Sequence, residues 1–146
     1  FKDEVFAHNH PGGSLGRKML TTIGDLMHTG EQVPIVYENS DLSVIISEMT
    51  QKRLGVTLIT NKKKQLKGII TDGDLRRMIE DKKDISKIRA LDLSKSFPKW
   101  LEQNNLATKA VQLMEEYSIT SLVVSANGKK IDGIIHLHDL LKAGII

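Results

Sequence analysis

The chain contains no cysteine, so it can form no disulfide and offers no thiolate ligand to a metal ion. This absence fits a reducing compartment, and we expect a cytoplasmic protein. Aromatic residues make up only 4% of the chain, which leaves few stacking platforms for nucleic-acid bases. No apolar run approaches the ~20 residues that cross a bilayer, and no signal peptide is visible. We therefore expect neither a membrane nor a nucleic acid as partner.

Charge excludes little, because 21 Lys and Arg stand against 18 Asp and Glu, a net +3. The 146 residues are 40% hydrophobic, which is typical of a globular domain with a real core. The first residue is Phe1 rather than Met, and we interpret the chain as a piece of a longer protein.

One stretch of sequence occurs twice. LKGIITDGDLRRMI at residues 66–79 returns 65 residues later as IDGIIHLHDLLKAG at residues 131–144. Each copy predicts a short apolar strand, a tight turn and the start of a helix. The first-copy residues that recur unchanged are Gly68, Ile69, Ile70, Asp74 and Leu75. An echo at a fixed offset indicates a duplicated structural unit.

The surrounding pattern predicts two β-α-β-β-α units, at residues 23–80 and 90–146. Residues 81–89 form a charged connector, and residues 1–22 are interpreted as the tail of an upstream domain with its linker. The predicted strands and extended segments are residues 33–37, 54–60, 66–70, 97–101, 119–125 and 131–135. The predicted apolar helix faces are Leu42, Ile45, Ile46 and Met49, and Leu106, Ala110, Leu113 and Tyr117. Units this small bury little surface alone, so their sheets should pack together.

These residues resemble a tandem pair of CBS domains over roughly residues 23–144. HPGGSLGRKML at residues 10–20, DLMHTGE at 25–31, GIITDGDLRR at 68–77 and the ending HLHDLLKAGII are similar to the C-terminal half of bacterial D-arabinose-5-phosphate isomerases. Those enzymes carry a sugar-isomerase (SIS) domain before a CBS pair. The resemblance implies an α/β fold of two pseudo-twofold units and a catalytic domain that is mostly absent here. It also implies a place in the making of Kdo, a lipopolysaccharide sugar.

Thr71 and Asp74 are the first candidate site residues. A hydroxyl and backbone N–H groups at a helix N-terminus suit a phosphate, and the carboxylate would accept hydrogen bonds from ribose hydroxyls. The resemblance supports these roles, because nucleotide-binding CBS pairs carry Thr or Ser three positions before Asp. The alternative is structural, because Thr-x-x-Asp approximates a capping box that needs no ligand.

The second copy departs from this pattern. His136 replaces the threonine while Asp139 is kept. Histidine lacks the hydroxyl and is a poor N-cap, so we expect two unequal clefts. His138 adds a His-x-His pair, which would suit a metal on a strand end. In a turn the two rings simply line a cleft, and we expect neither a metal nor a cofactor.

Further candidates surround the two turns. Arg76 or Arg77 would reach an anionic ligand, although a solvated helix face explains at least one of them. Thr57, Thr120 and Ser121 would offer hydroxyls to a base, or satisfy backbone groups.

Three sequence features lie outside the turns. By resemblance, His10 of the HPGG junction belongs to the isomerase active site, where a base abstracts a proton. His8 and His10 cannot catalyse without the missing domain, and we expect both to be disordered or at the surface. The run Lys62–Lys64 is interpreted as a solvated turn.

Three hypotheses follow. The first is a regulatory module that binds a nucleotide or nucleotide sugar, such as CMP-Kdo or AMP, between its units and acts on the upstream SIS domain. The second is a structural module that only holds a homodimer or homotetramer together. The third, catalysis by this piece itself, lacks a nucleophile–base pair or metal constellation in the sequence.

Overall fold

The computed structural model describes residues 19–81 and 84–146, in which one series of elements occurs twice. The first series comprises α1 (Ile23–Leu26), β1 (Ile35–Tyr37), α2 (Leu42–Lys52), β2 (Val56–Thr60), β3 (Leu66–Thr71) and α3 (Asp72–Glu80). The second comprises α4 (Ala90–Leu93), β4 (Trp100–Leu101), α5 (Ala107–Tyr117), β5 (Ser121–Val124), β6 (Gly133–His136) and α6 (Leu137–Lys142). Short 3-10 turns cover Gly30–Gln32 and Ile85–Lys87. The duplicated order predicted from the repeat is confirmed.

Each series forms a three-stranded sheet, in the orders β1-β2-β3 and β4-β5-β6. β1 is parallel to β2, with Ile35 opposite Leu58, and β2 is antiparallel to β3, with Leu58 opposite Ile69. The second sheet repeats this arrangement, with Val123 of β5 opposite Ile134 of β6. Each antiparallel pair is a hairpin of consecutive strands. Each parallel pair encloses a helix, because a parallel connection needs a crossover.

The two sheets share one apolar cluster. Its buried members come from both units and are Val33, Val56, Leu58, Leu66, Val123 and Ile134. Each unit has one further cluster, between its sheet and the helices that cover it. The cluster of the first unit surrounds Ile45 and Met49, and that of the second surrounds Ala110 and Met114. This shared cluster confirms the prediction that the two sheets pack against each other.

The short helices α1 and α4 are exchanged between the units. Ile23 of α1 is buried in the cluster of the second unit, and its N–H donates to the Asn105 carbonyl at 2.9 Å. Ala90 of α4 is buried in the cluster of the first unit, and its N–H donates to the Ser40 carbonyl at 2.9 Å. Neither exchanged contact was predicted, because nothing in a four-residue helix indicates which sheet it covers.

The predicted helix faces are partly wrong. On α2, Ile45 and Met49 are buried as expected, but Ile46 is 46% exposed. On α5 the buried residues are Ala107, Ala110 and Met114, whereas Leu106 and Tyr117 are both 43% exposed. Leu106 is the N-cap of α5 rather than a helical residue, which moves the buried stripe by one position. No helix within the described ranges is long and apolar enough to span a membrane.

Candidate functional site

The first Asp-led turn is a reciprocal capping box at the start of α3. The Thr71 hydroxyl accepts a hydrogen bond from the Asp74 N–H at 3.2 Å. In return, the Asp74 carboxylate accepts one from the Thr71 N–H at 2.8 Å. Asp74 is 7% exposed, so its charge is held close to the helix N-terminus, where the backbone N–H groups favour an anion. The structural role weighed for these two residues is therefore real, and a ligand role would come in addition to it.

Arg77 also engages Asp74, and Arg76 does not. The Arg77 guanidinium donates to the free Asp74 carboxylate oxygen, although 52% of the Arg77 side chain remains exposed. Arg76 is exposed and is absent from the residues that line the clefts described below. Of the two arginines, the structure brings only Arg77 to the turn, while Arg76 fits the solvated face.

A cleft of about 530 Å³ lies between this turn and the second unit. On one side it is lined by Thr71, Asp74 and Arg77. The opposite wall consists of residues 95–99 before β4 and residues 117–121 before and at the start of β5. Thr120 and Ser121 belong to that wall, so five residues predicted from two separate sequence segments meet in this one space. We name it the first cleft.

Ser121 carries an unpartnered hydroxyl in the wall of the first cleft. The residue is 6% exposed, and its Oγ has no hydrogen-bond partner among residues 19–81 and 84–146. A buried hydroxyl without a partner costs about 1–3 kcal/mol relative to a satisfied one. Thr57 differs, because it is fully buried and its hydroxyl donates to the Leu58 carbonyl at 3.3 Å. Thr57 thus satisfies a backbone group and does not line the first cleft.

The first cleft also contains cations and aromatic rings that the sequence analysis did not select. Lys95 and Lys99 line it beside Phe97 and Tyr117. The Lys99 ammonium lies 4.2 Å from the centroid of the Tyr117 ring, within the range of a cation–π contact. Phe97 and Tyr117 are 49% and 43% exposed, so their rings are accessible to a planar ligand. The sequence analysis missed both rings, because it placed Phe97 in an extended segment and Tyr117 on the apolar face of a helix. Only the structure shows that both side chains are exposed in the first cleft.

The second turn is capped by histidine. The His136 ring accepts a hydrogen bond from the His138 N–H at 3.0 Å, and the Asp139 carboxylate accepts one from the His136 N–H at 2.8 Å. The prediction that histidine would cap poorly is wrong here, because the unprotonated Nδ1 supplies the acceptor that a hydroxyl would supply. Burial lowers the pKa of His136, the nearby His138 charge adds to this effect, and Asp139 opposes it.

Asp139 is paired with a histidine from the other unit. The His28 Nε2 lies 2.8 Å from an Asp139 carboxylate oxygen, across 111 positions of sequence. The two side chains are 28% and 13% exposed. His28 has no counterpart in the sequence repeat, so only the fold reveals this contact.

The metal site considered for His136 and His138 would need further ligands near the two rings. The His136 and His138 rings lie 4.4 Å apart between centroids and are tilted by 55°. Within the described part of the chain, no group of three or more His, Cys, Asp or Glu residues is arranged to hold a metal ion. The His136 Nδ1 is already used as the helix cap.

The remaining sequence candidates are the two histidines of the leader and the lysine run. His8 and His10 fall outside the described residues. Lys62–Lys64 are exposed in the turn between β2 and β3, as a solvated turn requires.

Comparison with known proteins decides the family. The family model of the CBS domain matches residues 23–81 and 92–145. The chain belongs to the CBS-domain family. Among curated relatives of this CBS pair, the arabinose 5-phosphate isomerase KdsD of Yersinia pestis is 42% identical over 146 residues. That match covers 100% of this chain and 44% of the relative, so the CBS pair spans less than half the length of that protein.

Solved structures confirm the paired fold. CBSX2 in complex with AMP is similar at a TM-score of 0.74 and 21% identity, with 86% of this chain and 96% of that chain covered. The CBS domain protein PAE2072 from Pyrobaculum aerophilum, complexed with AMP, gives a TM-score of 0.72 at 18% identity, covering 86% and 99%. At these identities the likeness establishes the fold alone, and the predicted tandem CBS architecture is confirmed.

Proposed function

We propose that this CBS pair is the regulatory module of an arabinose-5-phosphate isomerase and binds a nucleotide or nucleotide sugar, such as AMP or CMP-Kdo, in the first cleft. The KdsD relatives support the parent enzyme, and the AMP complexes of two structural neighbours support the ligand class. The observation that carries the proposal is the buried, unpartnered Ser121 hydroxyl in the wall of the cleft. A ligand atom that hydrogen-bonds to Ser121 would remove the penalty of that burial.

The chemistry of the first cleft suits an anion with an attached planar ring. The N-terminus of α3 provides a partial positive charge for a phosphate, and Thr71 provides a hydroxyl. Arg77, Lys95 and Lys99 add three cations around the same space. Phe97 and Tyr117 would stack on the base, a contact worth about 1–3 kcal/mol per base. The surplus of cations favours a ligand with more than one negative charge.

Regulation would follow from coupling to the upstream domain. In the parent enzyme the SIS domain precedes this pair, His10 contributes to its active site, and the whole functions in the cytoplasm. A ligand in the first cleft changes isomerase activity only by as much as its affinity differs between two states of the enzyme.

Isothermal titration calorimetry of the protein with AMP, ATP, CMP and CMP-Kdo tests the proposal. We expect at least one of them to bind, and Ser121→Ala to weaken that binding by roughly two- to tenfold, the worth of one hydrogen bond. The same variant should leave the free energy of unfolding of the empty protein unchanged or raise it, because it removes an unsatisfied group.

Ser43→Ala provides the matched control. Ser43 is an exposed serine on α2 that does not line the first cleft, and its replacement should change neither affinity nor stability. Absence of binding by all four ligands at millimolar concentration would refute the proposal. Loss of stability in Ser121→Ala would show that its hydroxyl has a structural partner.

Exposed apolar side chains favour an oligomerisation module as a second candidate. Val44 and Ile46 on α2 are 47% and 46% exposed, and Ile79 on α3 is 65% exposed. Paired surfaces of this kind would hold a homodimer or homotetramer together. Sedimentation of wild type and Ile46→Lys distinguishes the candidates. A stable assembly that dissociates in the variant, together with no ligand binding, would support the structural role.

A further inference from the structure

The two Asp-led turns have different surroundings. The first difference lies in the residues that directly follow the exchanged helices α1 and α4. In both short helices the N-cap backbone N–H donates at 2.9 Å to an aspartate of the first turn, from Thr22 to Asp25 and from Arg89 to Asp92. The helices α1 and α4 therefore align residue by residue, and their C-caps are Met27 and Ser94. The next residues correspond as well, so His28 occupies the position that Lys95 occupies at the first cleft.

The backbone of His28 is attached to the edge of the second sheet. Its N–H donates to the Ile134 carbonyl at 2.8 Å, and the Ile134 N–H donates to the His28 carbonyl at 3.1 Å. Gly133 allows this approach, since a Cβ there would lie 2.5 Å from the His28 carbonyl oxygen. The corresponding contact in the first unit is one hydrogen bond, from the Ile69 N–H to the Ser94 hydroxyl at 3.2 Å. The segment after α1 is thus held more tightly than the segment after α4.

This attachment places the His28 ring against Asp139. One ring nitrogen contacts the carboxylate at 2.8 Å, and the other lies 3.2 Å from the Gln32 side-chain oxygen. The second Asp139 oxygen accepts the His136 N–H. Both carboxylate oxygens are therefore occupied by fixed groups.

Asp74 in the first cleft has a looser partner. Its outer oxygen is held by Arg77, a residue of the same helix whose side chain is 52% exposed. The guanidinium can turn from Asp74 to an incoming anion without any backbone contact breaking. At Asp139 the His28 backbone is held by two hydrogen bonds, and both nitrogens of its ring already have partners in Asp139 and Gln32, so the ring has no free nitrogen for an anion.

The second turn also lacks the hydroxyl that Thr71 supplies at the first turn. His136 supplies no hydroxyl, its Nδ1 is the helix cap, and burial keeps its pKa low, so the ring is neutral near neutral pH. A groove of about 510 Å³ passes beside His136 and His138, and Asp139 is not among the residues that line it.

The second cleft is the space beside His136 and Asp139 that corresponds to the first cleft beside Thr71 and Asp74. We infer that His28 is a built-in occupant of the second cleft, where it pairs with Asp139 and closes the space, so that each CBS pair binds one ligand and binds it in the first cleft. This inference rests on the proposed function for its ligand. The closure itself is a property of the empty protein.

Calorimetric stoichiometry in a factorial set of variants tests the closure. With AMP and CMP-Kdo as probes, the wild type should bind one molecule per chain. His136→Thr alone restores the Thr-x-x-Asp pattern but leaves His28 in place, and should still bind one. The double variant His28→Ala with His136→Thr should bind two. Two molecules bound by wild type or by His136→Thr, or one bound by a folded double variant, would overturn the inference.

A ligand-independent measurement separates this inference from the proposed function. Two-bond proton–nitrogen NMR correlations of the histidine rings should show the His28 Nε2 hydrogen-bonded in wild type. Asp139→Asn should shift those His28 resonances, and Asp74→Asn, its counterpart in the first cleft, should not. If no probe binds while the His28 resonances respond in this way, the proposed function fails and the contact stands. If Asp139→Asn leaves His28 unchanged, the closure is refuted even where wild type binds one ligand.

Discussion

Single residues differ between the two turns although the backbone is the same. Thr71 caps α3 with a hydroxyl, and His136 caps α6 with an imidazole nitrogen. The imidazole performs this role only while its Nδ1 is unprotonated, since a protonated nitrogen accepts no hydrogen bond. The second turn is therefore sensitive to acid in a way that the first is not.

Acid should destabilise the protein through His136. Because burial holds its folded pKa below the unfolded value of about 6.5, the unfolded chain binds the proton first as pH falls. The contribution to stability is full above the unfolded pKa and is lost as pH falls from there toward the folded pKa. Urea unfolding between about pH 7.5 and about pH 5.5 should show a smaller loss of unfolding free energy in His136→Thr than in wild type.

His136→Gln is the control that separates titration from capping. It removes the titrating ring without supplying a threonine hydroxyl, so it should share the flatter pH dependence of His136→Thr while differing from it in stability near neutral pH. Equal losses on acidification in wild type and both variants would show that another group controls the response.

Residue-level prediction from sequence succeeded where chemistry is local. Thr71 and Asp74 are three positions apart, and their mutual hydrogen bonds follow from that spacing. The sequence could not identify His28 as a site residue, because its role comes from its contact with Asp139, 111 positions away. Ser121 was selected for its hydroxyl, but that the hydroxyl is buried and unpartnered is a property of packing.

For helices, as for single residues, the sequence predicts features set by neighbouring residues and does not predict contacts between distant segments. The helix α2 begins after Asp41, whose carboxylate accepts the Val44 N–H at 3.1 Å, a local N-cap of the kind that aspartate favours. The exchange of α1 and α4 was not predictable, because four residues carry too little periodicity to indicate a partner. The exchange matters for the clefts, since residues that follow these helices line the first cleft and close the second.

Gly133→Ala should detach the segment after α1 from β6. The new methyl group would lie 2.5 Å from the His28 carbonyl and 3.0 Å from the Met27 sulfur, so the backbone must move. Overpacking of this kind typically costs about 1–3 kcal/mol. We expect a loss of unfolding free energy in that range in urea titrations, and a change in the His28 ring resonances.

Gly73→Ala is the matched change at a tolerant position. Gly73 lies in the first turn of α3, where an added Cβ would be 3.4 Å from its nearest neighbour, the end of the Arg77 side chain. Alanine is the better helix former, so stability should be unchanged or slightly higher. If both glycine variants behave alike, close approach at Gly133 is not what holds His28 in place.

At the scale of the whole molecule, we expect the shared cluster to make the two units unfold together. Its buried residues come from both sheets, and each unit also receives a short helix from the other. A unit of about 60 residues buries only about 60% of the surface that its unfolded chain exposes, so its stability alone would be marginal. The sequence predicted this packing because two similar units of this size each bury little surface alone and gain a shared core by packing their sheets together.

Leu58→Ala should therefore destabilise the unit that does not contain it. Leu58 is fully buried in the shared cluster, and truncation of such a leucine costs about 2–5 kcal/mol through lost burial and the cavity left behind. Trp100, the one tryptophan of the chain, lies on β4 of the second unit and reports that unit by fluorescence. We expect its urea transition to move to lower concentration together with the circular dichroism transition of the whole chain.

Leu141→Ala on α6 is the control, because this leucine is 48% exposed and its truncation should change the unfolding free energy little. If Leu58→Ala shifts the dichroism transition while the Trp100 transition stays at its wild-type midpoint, the units unfold independently. The shared cluster would then be a contact surface between two separately stable folds, and a ligand in the first cleft would bridge two bodies rather than fill a fissure in one. Coincident transitions would instead mean that a ligand bound at the first cleft stabilises both units at once, including the closed second cleft.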